Sequence, residues 1–349
     1  VVAELERLLQ AVFLTDKPVA TLTSSGTGAM EAAVVNLFSP GDRVLVPVSG
    51  KFSGRWVEIC RAFGIEACRM EIEPGDSPGV DAVVDLLEGD TGLAGVLLTH
   101  CETSTGALTD VGAVSRAVAE TGRCRGERLV TCVDCITSLC IDEFRMDDWC
   151  VDCAIGASQK GFLSPPGLAF VSVDPGLLDR GSAGSCYYFD LKRYFDHATG
   201  VPFTPAVSLV RAVRASLEAI VGLGLPAIWR ASRASAAAIL RIVEAAGFKP
   251  VARFSGGAVV AFWVGELDAH RFAEALRVDH GIVVAQGQRD LRGRILRVSP
   301  IGKGPEEILE FAAALAKVQG DMGKSFPLDA VETELKHTLE DCRIWESLQ

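Results

Sequence analysis

No apolar run in the 349 residues approaches the roughly 18 needed to cross a membrane. The longest, such as Ala258–Val264, are strand-sized. Nor does the chain open with the basic region and apolar stretch of a secretory leader. Positive charge is in deficit, with 34 Lys and Arg against 45 Asp and Glu and a net charge of −11. That balance argues against nucleic acid or an anionic membrane as a partner. A local basic pocket for a small anion is compatible with it. Internal repeats and low-complexity segments are absent. What is present is an ordinary globular balance, 49% apolar and 23% charged, which argues against disorder. The length is that of about two domains. The 11 cysteines are odd in number, in a chain too large to need staples. They read as reduced, buried, small apolar side chains, which implies a cytoplasmic protein.

Short β-branched runs alternate with helical stretches. Val19–Thr23, Arg43–Ser49, Leu93–Thr99, Arg128–Asp134, Val151–Ala157 and Leu168–Val173 read as strands. Ala29–Phe38, Gly54–Phe63 and Val111–Glu120 read as helices. The alternation predicts an α/β fold with a mainly parallel sheet and helices on both faces, over a large domain of residues 1–223. Gly222–Pro226 then breaks the helix that begins near Pro205. Beyond it, residues 224–349 predict a smaller α+β domain. Its helices are Ile228–Ala246, Ala269–Arg277 and Pro305–Val318, and its strands lie near Ala258–Val264, Gly281–Ala285 and Arg294–Val298. A further amphipathic helix, Leu328–Leu348, occupies the tail.

Four features carry chemistry on this frame. Ser24-Ser25-Gly26-Thr27-Gly28-Ala29 follows a strand and opens a helix. Backbone N–H groups there, with small residues allowing close approach, suit a phosphate, or form a structural turn. No Gly-Lys-Ser/Thr follows, so this is not a Walker loop. Asp134 ends a strand, at the edge where open α/β sheets bind ligands; a cap or turn role is the plain alternative. Lys160, in Ser158-Gln159-Lys160-Gly161, sits between an apolar strand and a Gly/Pro loop. It is either a solvated surface residue or a half-buried amine with a lowered pKa, able to form a Schiff base. Arg297 lies between Leu296 and Val298 in an apolar strand and needs an anion, from a ligand carboxylate or from a salt bridge. Together the four describe one cofactor, pyridoxal 5'-phosphate, with its phosphate, its ring nitrogen and its aldehyde.

At these residues the chain resembles the class V aminotransferases of fold type I, closest to the alanine–glyoxylate and serine–glyoxylate group, over roughly residues 1–318. The ordered motifs are Ser25-Gly26-Thr27-Gly28, Gly50-Lys51-Phe52-Ser53-Gly54-Arg55-Trp56, Thr99-His100-Cys101-Glu102-Thr103-Ser104-Thr105-Gly106, Val133-Asp134, Ser158-Gln159-Lys160 with Pro165-Pro166-Gly167, Phe203-Thr204-Pro205-Ala206, and Leu296-Arg297-Val298. The resemblance implies a fold type I transferase, with a mainly parallel seven-stranded sheet and a homodimer whose sites form at the subunit interface. Lys160 is then the Schiff-base lysine and proton shuttle, and Asp134 the partner of the ring nitrogen. Thr27, Gly28 and Ala29 bind the phosphate with Gln159 beside it. Phe52 stacks on the ring, Thr103 contacts the ring hydroxyl region, and Thr204 reaches the neighbouring subunit's phosphate. Arg297 clamps the substrate α-carboxylate. The implied reaction moves an amino group from an alanine- or serine-like donor to a 2-oxo acid such as glyoxylate or pyruvate. There are departures. The family usually starts earlier, with an arm that lines the substrate pocket. Phe52 stands where Trp is common. Val201 stands where some members carry a cross-subunit Tyr.

Rival readings use the same residues. Cys132-x-x-Cys135 and Cys150-x-x-Cys153 approach a zinc-ribbon spacing. Strand alternation instead places Cys132 and Asp134 on one side and Cys135 on the other, so no metal site is expected. A cysteine desulfurase of the same fold needs a late loop cysteine, and only Cys186 and Cys342 are available. Aspartate, ureidoglycine and aminoethylphosphonate are further donors within the same chemistry, and a non-catalytic scaffold of this fold is the remaining alternative. His100 and His197 are acid–base candidates without a visible triad. Glu102 is read as ordering the loop that bears Thr103. Tyr187 and Tyr188 belong to an interface, a pocket or the core.

Overall fold

The computed structural model describes residues 2–178, 186–196 and 201–348. His197 lies outside the described residues. The chain opens with α1 (Val2–Phe13), β1 (Val19–Leu22), α2 (Gly26–Leu37), β2 (Arg43–Val48), α3 (Ser53–Ala62), β3 (Glu66–Glu71), α4 (Val80–Gly89) and β4 (Leu93–Thr99). A short ribbon follows, β5 (Cys101–Glu102) with β6 (Ala107–Leu108). Then come α5 (Val111–Arg125), β7 (Val130–Asp134), β8 (Cys153–Ala157), β9 (Ala169–Val173), α6 (Leu191–Asp196) and α7 (Val207–Leu223). The rest comprises α8 (Leu225–Ala245), β10 (Lys249–Pro250), β11 (Val260–Trp263), α9 (Ala269–His280), β12 (Ala285–Gln286), β13 (Ile295–Val298), α10 (Pro305–Asp321) and α11 (Leu328–Cys342).

Seven strands form one sheet in the order β1-β9-β8-β7-β4-β2-β3. Only β9 runs against its neighbours, β1 and β8; the other pairs are parallel. This is the mainly parallel sheet of fold type I expected from the sequence. Alternation assigns the faces. Leu98, Val133, Ala154 and Phe170 enter one core, and Leu97, Cys132, Ile155 and Val171 the other. Both faces are therefore covered, and strands such as β7 and β8 are buried throughout. Each fully buried Leu or Val contributes about 1.5–3 kcal/mol relative to exposure. The second sheet is antiparallel, in the order β10-β11-β13-β12. The larger core runs on from the first sheet into α7, α8, α10 and α11. No single helix among the described residues is long and apolar enough to cross a membrane; α7 and α8 reach that composition only together, bent by 91°.

One local expectation needs correction, and some elements escaped the sequence reading. Gly281–Ala285 does not form a strand; only Ala285–Gln286 pairs, because Val283 turns outward and is 80% exposed. Strand β3 was not anticipated. It is the sheet edge, so its Glu-Ala-Cys-Arg-Met-Glu sequence lacks the apolar run of a buried strand. Helix α4 buries only Val83 and Leu87, too few to stand out as a stripe.

Candidate active site

The parallel strands deliver the sequence candidates to one edge of the large sheet, at their C-terminal ends. Strand β7 ends in Asp134, which is level with Thr99 of β4 and Ile155 of β8. The turn after β8 carries Lys160, the turn after β2 carries Phe52, and the ribbon after β4 carries Thr103. A cavity of about 710 Å³ opens there and is lined by Phe52, Thr103, Thr137, Lys160 and Arg297, among others.

Asp134 is only 6% exposed. One carboxylate oxygen accepts the Ile136 N–H at 2.9 Å. Burial pushes this carboxyl up to about 7, against the pull of that N–H and with the help of the nearby Glu102 charge. Lys160 is half-buried, and burial lowers the pKa of its amine. Among the described residues that amine makes no hydrogen bond or salt bridge. Its loop is tied to its own start: the Ser158 N–H donates to Leu168 O at 3.0 Å, and the Ser158 hydroxyl to Pro165 O at 2.7 Å.

Arg297 sits on β13, paired with Ala261 and Ala285 on the flanking strands. The salt-bridge alternative does not hold. Its guanidinium donates to Gln286 O at 3.1 and 2.9 Å and to Thr103 O at 2.8 Å. No carboxylate meets it among the described residues, although it is only 9% exposed. Burial lowers its pKa, and the Glu102 charge opposes that from a distance. Carbonyls thus fix the direction of the group and leave its charge to be answered from the cavity. Unpaired charge at this depth is costly, and the fork of a guanidinium is suited to an anion such as a carboxylate.

The helix starts tell the same story. The Asp110 side chain caps α5 at Ala113 N, 2.9 Å, and Asp268 caps α9. Such a cap contributes about 1 kcal/mol. Ser25 at the start of α2 makes no side-chain capping bond, so the first N–H groups of Gly26 and Thr27 point out of the helix. Gly28 belongs to the same turn. A Cβ there would strike the Ser24 hydroxyl and lie 3.0 Å from Phe189. Thr27 accepts from Arg55 at 3.2 Å, and the Arg55 guanidinium lies 5.0 Å over the Phe52 ring. The α2 start, Arg55 and Phe52 thus form one basic wall.

Other candidates divide. Thr103 shares a 2.7 Å hydroxyl hydrogen bond with Thr137, a cavity residue that the motif reading missed because nothing in its Ile-Thr-Ser setting marks it. Arg55 was quoted within a motif but given no role; its place one helical turn past Phe52 was the available signal. Ala29 is buried and Gln159 and Thr204 are exposed; like Thr27, Gly28 and Asp134, they are outside the cavity lining. Tyr187 and Tyr188 are surface residues rather than core, with Tyr188 stacked on Phe203 at 4.8 Å. His100 is buried against Phe144 and Trp149, 5.9 and 6.0 Å away, and away from the cavity lining. Burial lowers its pKa to about 4, so it is neutral at pH 7.

Seven of the eleven free cysteines are buried. Cys132 and Cys135 enter opposite cores, and Cys150 is exposed, so the two C-x-x-C pairs do not converge. Among the described residues no three His, Cys, Asp or Glu side chains are grouped to hold a metal ion. Cys342 is buried beside Ser235, remote from a mobile-loop setting, and Cys186 is half-buried outside the cavity lining.

Comparison with known proteins gives concordant matches. The family profile described as Aminotransferase class-V matches residues 4–295. The chain is 31% identical to an L-aspartate–glyoxylate aminotransferase of Paracoccus denitrificans, over 91% of this chain and 82% of that one. It is 34% identical to a protein of Synechococcus named as the small subunit of a soluble hydrogenase, over 88% and 82% of the two chains. Among solved structures, an aspartate aminotransferase of subgroup IV from Thermus thermophilus superposes with a TM-score of 0.84 at 38% identity. That match covers 92% of this chain and 90% of the other.

Proposed function

The chain belongs to the class V aminotransferases, and on that premise we propose that the cavity binds pyridoxal phosphate and moves an amino group from a small amino acid to a small 2-oxo acid. The donor is alanine- or serine-like and the acceptor is glyoxylate or pyruvate. The observation that carries this reading is Arg297, buried, held by carbonyls and without an acidic partner among the described residues. Donor and acceptor share one feature, a carboxylate beside the reacting carbon, so one guanidinium serves both halves of the exchange.

The residues present fit the cofactor. Asp134 is a buried carboxylate that makes no salt bridge among the described residues, and a protonated pyridine nitrogen would pair with it. The uncapped start of α2, with Thr27, Gly28 and Ala29, suits the phosphate, with Gln159 at its rim. Phe52 offers the ring face, and Thr103 the contact at the ring hydroxyl. When bound, the cofactor supplies an electron sink for the pair left on the substrate carbon. This chain's residues do the rest. Asp134 keeps the ring nitrogen protonated. Arg297 fixes the substrate carboxylate and so aims the Cα–H bond. Lys160 Nζ, made less basic by burial, would take the Cα proton as general base and deliver it as general acid to the former aldehyde carbon of the cofactor.

Two wider assignments belong to the same proposal. The exposed Thr204, beside the aromatic surface of Tyr188 and Phe203, reaches a phosphate in a second subunit of a cytoplasmic homodimer. Residues 1–223 form the cofactor-binding domain and residues 224–349 the smaller one that presents Arg297. The hydrogenase name of the Synechococcus relative has no counterpart in a metal-binding cluster among the described residues.

The test is absorption spectroscopy of the purified protein before and after borohydride, with the modified peptide mapped, then a panel of amino donors. A visible band that bleaches and leaves its label on Lys160 supports the reading. A protein that stays colourless with added pyridoxal phosphate overturns it.

A further inference from the structure

Glu102 is the least exposed acid at the cavity edge, at 1%, and it does not line the cavity. Its two oxygens are fully engaged. They accept the Phe52 N–H at 3.1 Å and the Ser53 N–H and hydroxyl, each at 2.8 Å. On the other side they accept the Ser104 N–H at 3.1 Å and the Ser104 hydroxyl at 2.6 Å. The Ser104 hydroxyl in turn accepts the Lys51 N–H at 3.1 Å. One carboxylate therefore ties the start of α3 to the ribbon strand β5. Gly50 makes room for it, since a Cβ there would lie 2.6 Å from the Glu102 carboxyl carbon.

The two tied segments carry different duties. The α3 start carries Phe52, the ring that faces the cofactor position. The ribbon carries Thr103, whose carbonyl accepts from the Arg297 guanidinium at 2.8 Å. Buried hydrogen bonds to a charged acceptor are among the strong ones, and a fully satisfied network is rigid. We propose that Glu102 is a positioning residue that locks the cofactor-facing ring of Phe52 and the substrate clamp Arg297 into one hydrogen-bonded unit. Loss of the unit loosens cofactor retention and carboxylate binding together. The inference rests on the proposed roles of Phe52 and Arg297.

Glu102→Gln tests it, because an amide presents one oxygen and one NH2. Whichever way it turns, its NH2 faces N–H donors on one of the two segments. Gly50→Ala is the second variant. It keeps the charge but displaces the carboxylate, and it decides the matter if the amide variant does not fold. Three quantities are read: the dissociation constant of pyridoxal phosphate from the apoprotein, KM for donor and acceptor, and kcat of the fully loaded enzyme. The expected result is a rise of at least about tenfold in both KM values and in the cofactor constant, with a smaller change in kcat. A fall in Tm with all three constants unchanged overturns the proposal and leaves Glu102 a purely structural residue. Arg297→Lys is run in parallel to separate the two readings. If it leaves KM unchanged, the clamp itself was misassigned. If it raises KM while both other variants leave KM unchanged, only the role of Glu102 fails.

Discussion

The two ends of the large sheet treat charge in opposite ways. At the N-terminal end of the parallel strands, a cavity of about 390 Å³ is lined by Arg128, Asp152, Asp174 and Lys17, among others. There Arg128 meets Asp152 at 2.6 Å and Asp174 at 2.7 Å, and Lys17 pairs with Asp147. At the C-terminal end, among the described residues, Arg297 meets carbonyls only, Asp134 accepts the Ile136 N–H, and Lys160 makes no salt bridge. A cavity therefore does not mark a site by itself. The end whose charges are already answered needs no ligand, and the end that leaves them open is the one proposed to take one.

The comparison can be broken by substitution. Lys160→Ala should have the largest effect, a turnover loss of about 10²–10⁴-fold or more with phosphate binding kept, read in single-turnover assays. Near-normal turnover would refute the assignment. Asp134→Asn should retain cofactor and lose about 10²-fold in kcat, the size of removing one preorganised electrostatic group. Arg297→Ala should raise both KM values by roughly 30-fold, from the loss of about 2 kcal/mol in a buried charge pair. An effect on Tm alone would return Arg297 to a structural role. At the other end, Arg128→Ala should leave KM and kcat unchanged and cost about 1 kcal/mol or less in urea denaturation, because its partly exposed pairs are screened.

A pH series sharpens the contrast with the smallest effect. Asp134 has a folded pKa raised from 3.8 to about 7. The folded apoprotein therefore holds a proton that the unfolded chain has released. Its stability should fall as pH rises from about 4 towards about 7. Asp134→Asn removes that component of the slope, which paired thermal melts of the two apoproteins measure. Parallel melting curves across this window would mean the carboxyl is not held protonated.

Much of this was legible in the sequence, because parallel strands end where ligands bind and their apolar runs are conspicuous. Leu93–Thr99 was delimited to the residue, and Asp134 and Lys160 followed from their place after such strands. Alternation also separated Cys132 from Cys135 correctly. What stayed hidden depends on segments far apart in the chain. The partners of Arg297 are carbonyls, and a carbonyl leaves no mark in residue identity. Glu102 reads as a loop acid, and only the fold brings Phe52 and Ser53 to it. The apolar Gly281–Ala285 misled because burial, not composition, decides whether such a run pairs.

The single reversed strand, β9, has its own consequence. A parallel neighbour for β8 would require a crossover of a dozen or more residues, usually through a helix. The antiparallel return is made instead by the helix-free loop from Ser158 to Leu168, which Ser158 latches at both ends. The amine of Lys160 thus hangs from a latched turn of the sheet itself, and little chain entropy is left for its anchor to lose if a substrate binds there.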